Sequence, residues 1–368
     1  MFILDRSKND TSVTLDLLRA IAAQMVCVGH GIAFFMPPWR PSELPLMQNV
    51  GVLIFFVLSG LLISFTLIER SKHSSYGFGT FWLERFARIY SALVPALLFV
   101  AVLDGVVIHI FNERAFADYY TAKTFVGNLF MFESYRGVLA KYLRTPAFGS
   151  ASPLWTLAIE WHIYMFVAAV FFIWARPRRR LLMIALAILF CQVPLHYLRG
   201  SQSADGVGMG LFSLWLMGTC VLLVLRKVQL PYWASLLLAL GAAICFFLVT
   251  KAGKEYNVLT YATLVVFLFG VLAASQSHRL ITSNPVIGSV KFFADYSFTL
   301  YLVHYSIMFA AFVIRPERNF YIFAIMVLVA NIVAIAIAVP TEMRHREFAR
   351  FLKNTAEKYL GRYRLQKK

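Results

Sequence analysis

The stretch NVGVLIFFVLSGLLISFTLI, residues 49–68, holds twenty consecutive residues without a charged side chain. About twenty apolar residues in an α-helix cross the hydrocarbon core of a bilayer, which is roughly 30 Å thick. The stretch therefore predicts a membrane-spanning helix. Gly51, Ser59 and Gly60 predict close contacts with neighbouring helices, because small residues let helix backbones approach one another.

The composition of the whole chain agrees with a membrane protein. Of its 368 residues 60% are hydrophobic and only 14% are charged, whereas a soluble domain is nearer one half apolar and one quarter charged. Soluble enzymes, nucleic-acid-binding proteins and disulfide-rich domains are therefore poor interpretations. The four cysteines lie in apolar runs without CxxC spacing, so neither a disulfide framework nor a metal site is expected.

Hydropathy predicts an all-α polytopic membrane protein with about ten transmembrane helices. The longest connector runs from Phe111 to Pro153. The ten predicted spans are Leu15–Phe35, Asn49–Ile68, Ile89–Ile110, Leu154–Trp174, Leu181–Tyr197, Gly210–Leu225, Tyr232–Val249, Asn257–Ala274, Ser297–Ile314 and Phe320–Val339.

The placement of positive charge predicts the orientation of these spans. With ten spans, 23 Lys and Arg residues fall on the side that holds both termini and 11 on the opposite side. The positive-inside rule then puts both termini in the cytoplasm. Residues 1–340 form the predicted membrane domain, and residues 341–368 form a basic cytoplasmic tail with nine of the positive charges. The net charge of +17 thus indicates topology and contact with anionic membrane lipid rather than with nucleic acid.

Ionisable residues inside the first span suggest a function, since a charge at membrane depth costs free energy unless it is paired or used. Arg19 and His30 lie 11 residues apart in LDLLRAIAAQMVCVGH, residues 15–30. On a helix this spacing puts both side chains on one face, about 16 Å apart along the axis. In the structural alternative, Arg19 extends to the lipid headgroups and His30 makes a helix contact.

Glu160, in the fourth span, lies at about the same predicted depth as His30. A carboxylate beside an imidazole would fix its tautomer and raise its basicity, as a general base requires. The alternatives are that Glu160 pairs with an arginine or is protonated.

Two further pairs have helical spacing. Arg85 and Arg88, at the cytoplasmic end of the third span, form a candidate phosphate site, although they also fit a simple positive-inside flank. Tyr301 and His304 share a face of the ninth span. At the helical rise, His304 would lie about 10 Å deep, nearer the level of Arg19 than that of His30.

These segments together resemble the acyltransferase family 3 of integral membrane proteins, whose members mostly O-acylate glycans or other acceptors in bacteria. Members often have an acidic residue where this chain has Leu53. The resemblance is carried by Arg-x10-His at Arg19 and His30, FFVLSG at residues 55–60, Arg-x-x-Arg at Arg85 and Arg88, LWTLAIEWHIYMF at residues 154–166, and SFTLYLVH at residues 297–304.

The resemblance implies an O-acyltransferase of the cell inner membrane. It would move an acyl group, commonly acetyl, from acetyl-CoA or another acyl-CoA to a hydroxyl of a carbohydrate or lipid-linked glycan. The acyl-CoA is a donor substrate, so no permanently bound cofactor is implied. Arg19, Arg85 and Arg88 would hold its nucleotide.

For the chemistry, the resemblance implies that His30 acts as general base or transient acyl carrier, with Glu160 orienting it and Tyr301 and His304 as possible support. The competing interpretation is a proton-coupled transporter, because the same residue types build proton relays. The sequence does not identify the acceptor or any protein partner.

Overall fold

The computed structural model describes residues 9–36, 44–133, 135–198, 207–277 and 283–365. Within these ranges the chain forms helices and connecting segments, without a strand. Three short 3-10 helices cover Ala117–Tyr119, Pro177–Arg179 and Glu342–Arg344. The α-helices of the described ranges are α1 (Thr11–Phe35), α2 (Met47–Arg70), α3 (Phe78–His109), α4 (Ala122–Leu129), α5 (Ala140–Leu143), α6 (Leu154–Ala175), α7 (Arg180–Phe190), α8 (Gln192–His196), α9 (Leu211–Leu225), α10 (Tyr232–Val249), α11 (Val258–Ser277), α12 (Asn284–Asp295), α13 (Ser297–Ile314), α14 (Phe320–Ala338) and α15 (His345–Leu365).

The predicted class, an all-helical multi-pass membrane protein, is confirmed. In the described ranges eight helical segments are long and apolar enough to cross a bilayer: α1, α2, α3, α6, α10, α11, α13 and the run Phe320–Thr355 that starts with α14. The other two predicted spans are shorter. α9 has 15 residues, and the predicted span Leu181–Tyr197 is divided between α7 and α8 at Cys191. The count of ten and the cytoplasmic termini stay predictions.

Helix α2 lies at the centre of the bundle, packed against α1 on one side and α9 on the other. Glycines bring these backbones together. A Cβ atom on Gly51 would lie 2.6 Å from the Ala22 carbonyl oxygen, and one on Gly60 would collide with the Trp215 backbone. The prediction that Gly51 and Gly60 are close-packing positions is thereby confirmed.

The two ends of the bundle differ and are named here by their residues. Ser12 of α1, Arg85 of α3 and His345 of α15 line one cavity, so the first and last described helices begin at the same end, the arginine side. The opposite end carries the segment 111–153 and is called the loop side. There Thr121 caps α4 by accepting a hydrogen bond from the Thr124 N–H.

The segment after residue 340, predicted as a tail, folds against the membrane domain. Helix α15 packs along α3, and Glu342, just before α15, forms an ion pair with Arg88 of α3. Residues 366–368 of the predicted tail lie outside the described residues.

Candidate active site

A cavity of about 390 Å³ opens at the arginine side of the bundle. It brings together the three arginines predicted to bind an anion, Arg19, Arg85 and Arg88, and also Glu160. These residues come from α1, α3 and α6, so the packing of the bundle, and not a single helix, makes the site. We call this space the arginine cavity.

The three arginines of the cavity are held in different ways. Arg19 lies 3.6 Å from the Asp16 carboxylate and donates a 3.5 Å hydrogen bond to the Ala294 carbonyl. Arg88 pairs with Glu342 at 3.0 Å. The Nε atom of Arg85 is buried and has no hydrogen-bond partner among the described residues. A buried donor without a partner costs free energy, which favours an anionic ligand beside Arg85.

Glu160 lies in a group of hydroxyls at the wall of this cavity. Its carboxyl group interacts with the hydroxyls of Ser59 and Tyr164, which are 2.7 Å from each other. The indole N–H of Trp215 donates to Ser59 Oγ at 3.1 Å. These contacts hold the Glu160 side chain of α6 against α2 and α9, at the wall of the arginine cavity.

A pair of histidines lies deeper in the bundle. His30 Nδ1 and His304 Nε2 are 2.9 Å apart, and His304 Nδ1 is 2.9 Å from the Leu300 carbonyl oxygen. Because a carbonyl only accepts, His304 carries its proton on Nδ1 and its Nε2 accepts from His30 Nδ1. Neutral His30 is thus held as the tautomer whose lone pair is on Nε2, as a general base requires.

The predicted depth of His304 is wrong. Instead of lying at the level of Arg19, His304 pairs with His30, because α13 begins at the level of Arg19. Its first residue, Ser297, is buried and lines the arginine cavity with Arg19. Ala294, which contacts Arg19, precedes His304 by ten residues, and Arg19 precedes His30 by eleven. Nearly equal helical lengths therefore bring His304 to the level of His30.

The predicted contact of Glu160 with His30 is replaced by the His30 and His304 pair. Equal depth does not fix the direction in which two helices face. Helix α1 packs mainly on α2 and α13, whereas α6 packs mainly on α7. Glu160 therefore faces the arginine cavity, and the ring that orients His30 comes from α13.

Tyr301 lies between these two groups. Its hydroxyl donates to the Pro153 carbonyl at 2.9 Å and contacts Thr156 Oγ1, which ties α13 to the start of α6. Its ring centre is 6.1 Å from that of His304. A second cavity of about 50 Å³, lined by Tyr301, shares Glu160 and Phe55 with the arginine cavity. The two cavities thus form a line from the arginines to Tyr301, which lies beside the histidines.

A third pocket, of about 240 Å³, lies at the loop side. Its wall includes Tyr305 and Ser150, and the Tyr305 ring stands edge-on to His30 with centres 5.1 Å apart. The Asp104 carboxylate holds Ser150 by accepting from its N–H at 2.8 Å and its hydroxyl at 2.7 Å. The histidine pair therefore has a cavity system on each side.

Sequence reasoning missed two of these residues. No sequence spacing links Asp104 to a partner, because Ser150 lies 46 residues away. Glu342 was taken as part of a basic tail. The sequence does mark Glu342 as a single acidic residue. It lies between the apolar end of the last span and the basic cluster of Arg344, His345 and Arg346.

Comparison with known proteins shows the family of this chain. A family model described as an acyltransferase domain matches residues 13–339. The chain belongs to acyltransferase family 3. That match contains every predicted site residue and ends just before Glu342.

Two of three curated relatives are named as O-acetyl transferases. The chain is 27% identical over 322 residues to a peptidoglycan O-acetyltransferase of Listeria monocytogenes, covering 80% of this chain and 49% of the relative. It is 29% identical over 203 residues to an O-acetyl transferase of Shigella phage Sf6, covering 55% of this chain and 56% of the relative. It is 25% identical over 324 residues to nodulation protein 10 of Rhizobium leguminosarum bv. viciae, covering 80% and 82%.

The chain spans about half the length of the first two of these relatives. No solved structure matches the chain.

Proposed function

We propose that this protein is a membrane O-acyltransferase that moves an acyl group, above all acetyl, from acyl-CoA to a hydroxyl of a glycan or related cell-surface acceptor. The observation that carries the proposal is the line of cavities from the arginines to Glu160 and Tyr301, whose ring centre is 6.1 Å from that of His304, the partner of His30. Membership of the acyltransferase family supports the reaction class.

The arginine cavity is the proposed donor site. CoA carries several phosphate charges, and guanidinium groups bind phosphate through paired, charge-assisted hydrogen bonds. Arg19, Arg85 and Arg88 would hold these phosphates at the arginine side. The thioester end of the donor would then extend through the space between Phe55 and Phe298, which line both cavities, towards the histidines.

His30 is the proposed general base. The acceptor oxygen bonds to the thioester carbonyl carbon while its proton passes to His30 Nε2. The carbon–sulfur bond then breaks, and the proton goes to the leaving thiolate. The products are an ester and CoA with a free thiol. His304 keeps His30 in the required tautomer and stabilises the imidazolium that forms, because its Nε2 lone pair accepts from His30 Nδ1.

The loop-side pocket is the proposed approach for the acceptor. Aromatic rings and hydroxyls line it, among them Tyr119, Ser150 and Tyr305, and such groups suit a neutral polyhydroxylated ligand. One relative is named for peptidoglycan, which supports a carbohydrate acceptor. With the termini in the cytoplasm, donor and acceptor would reach His30 from opposite sides of the inner membrane.

Release of CoA thiol by the purified protein tests this function. Wild-type protein in lipid nanodiscs, given acetyl-CoA and a cell-envelope glycan fraction, is expected to release thiol and to label the glycan with acetyl, as measured by mass spectrometry. The His30→Ala protein should do neither. Proton-driven solute uptake without thiol release would contradict the proposal and support a transporter.

The orientation is tested separately with single cysteines. A cysteine in segment 111–153 of a protein in whole cells should react with a membrane-impermeant maleimide, and one in α15 should not. The reverse pattern would place the arginine cavity outside the cell, away from cytoplasmic acyl-CoA.

A further inference from the structure

Residues beyond the end of the family match contribute to the arginine cavity. The match ends at residue 339, whereas His345 and Arg346, in the first turn of α15, line the cavity together with Arg85 and Arg88. Packing of α15 along α3 holds them there.

Glu342 links this segment to the predicted phosphate site. Its side chain is fully buried and lies 3.0 Å from Arg88 Nη2. Its other carboxylate oxygen accepts hydrogen bonds from Thr299 N–H at 2.8 Å and Thr299 Oγ1 at 2.7 Å. Thr299 thus fixes one carboxylate oxygen by hydrogen bonds, and the other oxygen faces Arg88 in an ion pair without a hydrogen bond among the described residues. A buried, fixed counter-charge of this kind orients the Arg88 guanidinium relative to the first turn of α13.

His345 is the second contact of Arg88. Its Nδ1 is 3.3 Å from Arg88 Nη1 and 2.8 Å from the Glu342 carbonyl oxygen. This nitrogen can accept from the guanidinium or donate to the carbonyl, but not both at once. Either way, both terminal nitrogens of the Arg88 guanidinium contact the turn from residue 342 to 345.

The side chains that line the cavity favour an anionic ligand. Five basic and three acidic side chains line it, apart from His345. Lys291 and Arg346 are two of the five, and neither belongs to the sequence motifs. Arg346 adds a cation from α15 to the one that α1 contributes with Arg19.

We propose that Arg346 binds a phosphate of the donor, and that Glu342 is a positioning residue that holds Arg88 towards the same donor. The segment 342–346 is then a specificity-determining part of the donor site. This inference rests on the proposed function, because it takes the donor to be a thioester that bears phosphates.

Arg344 provides a matched control for Arg346. Both are exposed arginines at the start of the same segment, but only Arg346 lines the cavity. Wild type, R346Q and R344Q are to be titrated in nanodiscs with CoA, dephospho-CoA and S-acetylpantetheine. R346Q is expected to bind CoA about tenfold more weakly, the effect of one charge-assisted hydrogen bond. R344Q should bind CoA as wild type does, and S-acetylpantetheine should distinguish none of the three proteins.

Glu342 is tested by kinetics, because a merely structural residue would affect both thioesters. E342Q keeps the hydrogen-bond acceptor for Thr299 but removes the charge that pairs with Arg88. Its KM for acetyl-CoA should rise about tenfold with kcat nearly unchanged, and its kinetics with S-acetylpantetheine should stay as in wild type. E342D, which keeps the charge, should recover part of the loss.

Each failure has a distinct meaning. Unchanged CoA binding by R346Q, or an equal loss with both thioesters in E342Q, would overturn the inference while the proposed function stands. Failure of wild-type protein to bind CoA or dephospho-CoA would overturn the proposed function and this inference with it.

Discussion

The carboxylates at the two ends of the bundle have different kinds of partner. At the arginine side, Asp16 lies beside Arg19, and the buried Glu342 pairs with Arg88. At the loop side, the buried Glu255 accepts three neutral donors, the N–H groups of Leu46 at 2.6 Å and Gly253 at 3.0 Å and the amide of Asn49 at 3.0 Å.

The same contrast holds for other residues. Asp104, at the loop side, accepts only from the hydroxyl and N–H of Ser150 among its described hydrogen bonds, and the loop-side ion pair of Arg315 and Glu317 is exposed. An excess of fixed cations attracts an anionic ligand, and neutral donors and rings suit an uncharged one. The comparison teaches that the two ends differ in charge, which supports the proposal of an anionic donor at the arginine side and a neutral acceptor at the loop side.

The largest expected effect comes from removing the imidazole of His30, the proposed general base. His30→Ala should lower kcat by about 10³–10⁴-fold, the upper range for loss of a general base, while CoA binding in the arginine cavity stays within about twofold. Thiol release and CoA titration on the same preparation measure both. A folded His30→Ala protein that still transfers acetyl would break the comparison, since the two ends would not meet at His30.

The second prediction concerns the partner of His30. His304→Gln should lower kcat by about 100-fold, because His30 loses the acceptor that holds its Nδ1 proton. His162 is a matched control: it is also a buried histidine with Nδ1 at 2.8 Å from the carbonyl four residues earlier, but it packs against Tyr135. His162→Gln should change kcat much less. Equal losses in both variants would mean that His304 is only a packing residue.

The third prediction tests the arginine side alone. Replacing Arg85 and Arg88 with alanine should weaken binding of acetyl-CoA by about 100-fold, since each charge-assisted hydrogen bond contributes roughly 1.5–3 kcal/mol. Binding of S-acetylpantetheine should change little. The double variant of Arg178 and Arg179, two exposed arginines of another connector, is the control for loss of charge. If both double variants bind acetyl-CoA as wild type does, the arginines only set topology.

Glu160 gives a fourth prediction that separates the two ends. Because Glu160 faces the arginine cavity, Glu160→Gln removes a negative charge that repels the donor phosphates, so the KM for acetyl-CoA should fall by about threefold, and the pH profile of kcat should keep its shape. If Glu160 instead supported the basicity of His30, the acidic limb of that profile would move to lower pH. The pH dependence of kcat from pH 5 to 9 decides between them.

The sequence predicts what depends on composition and helical period. Apolar runs predict the helices, and the 11-residue spacing places Arg19 and His30 on one face of α1. What it does not predict is which helices face each other. Glu160 is matched to His30 by predicted depth, yet α13 supplies the partner, because α13 begins at the level of Arg19. The role of Glu342 likewise depends on α15 packing on α3, which no local pattern encodes.

The smallest expected effect is on stability, at the loop side. Glu133 lies outside the membrane spans, is 5% exposed, and its Oε2 has no hydrogen-bond partner in the described part of the chain. Burial raises the pKa of its carboxyl group well above the ordinary value of 4.5. The folded protein then holds a proton that the unfolded chain releases above about pH 4.5, so this group destabilises the fold progressively as the pH rises.

Glu133→Gln removes that titration, and the Tm of the variant should exceed that of wild type by about 2 °C at pH 8, with a smaller difference at pH 5. Glu317→Gln, at an exposed carboxylate of the same side, is the control and should show no such trend. A Tm difference between Glu133→Gln and wild type that is constant with pH would mean that Glu133 is ionised in the fold, and that the loop side does accommodate an unpaired negative charge.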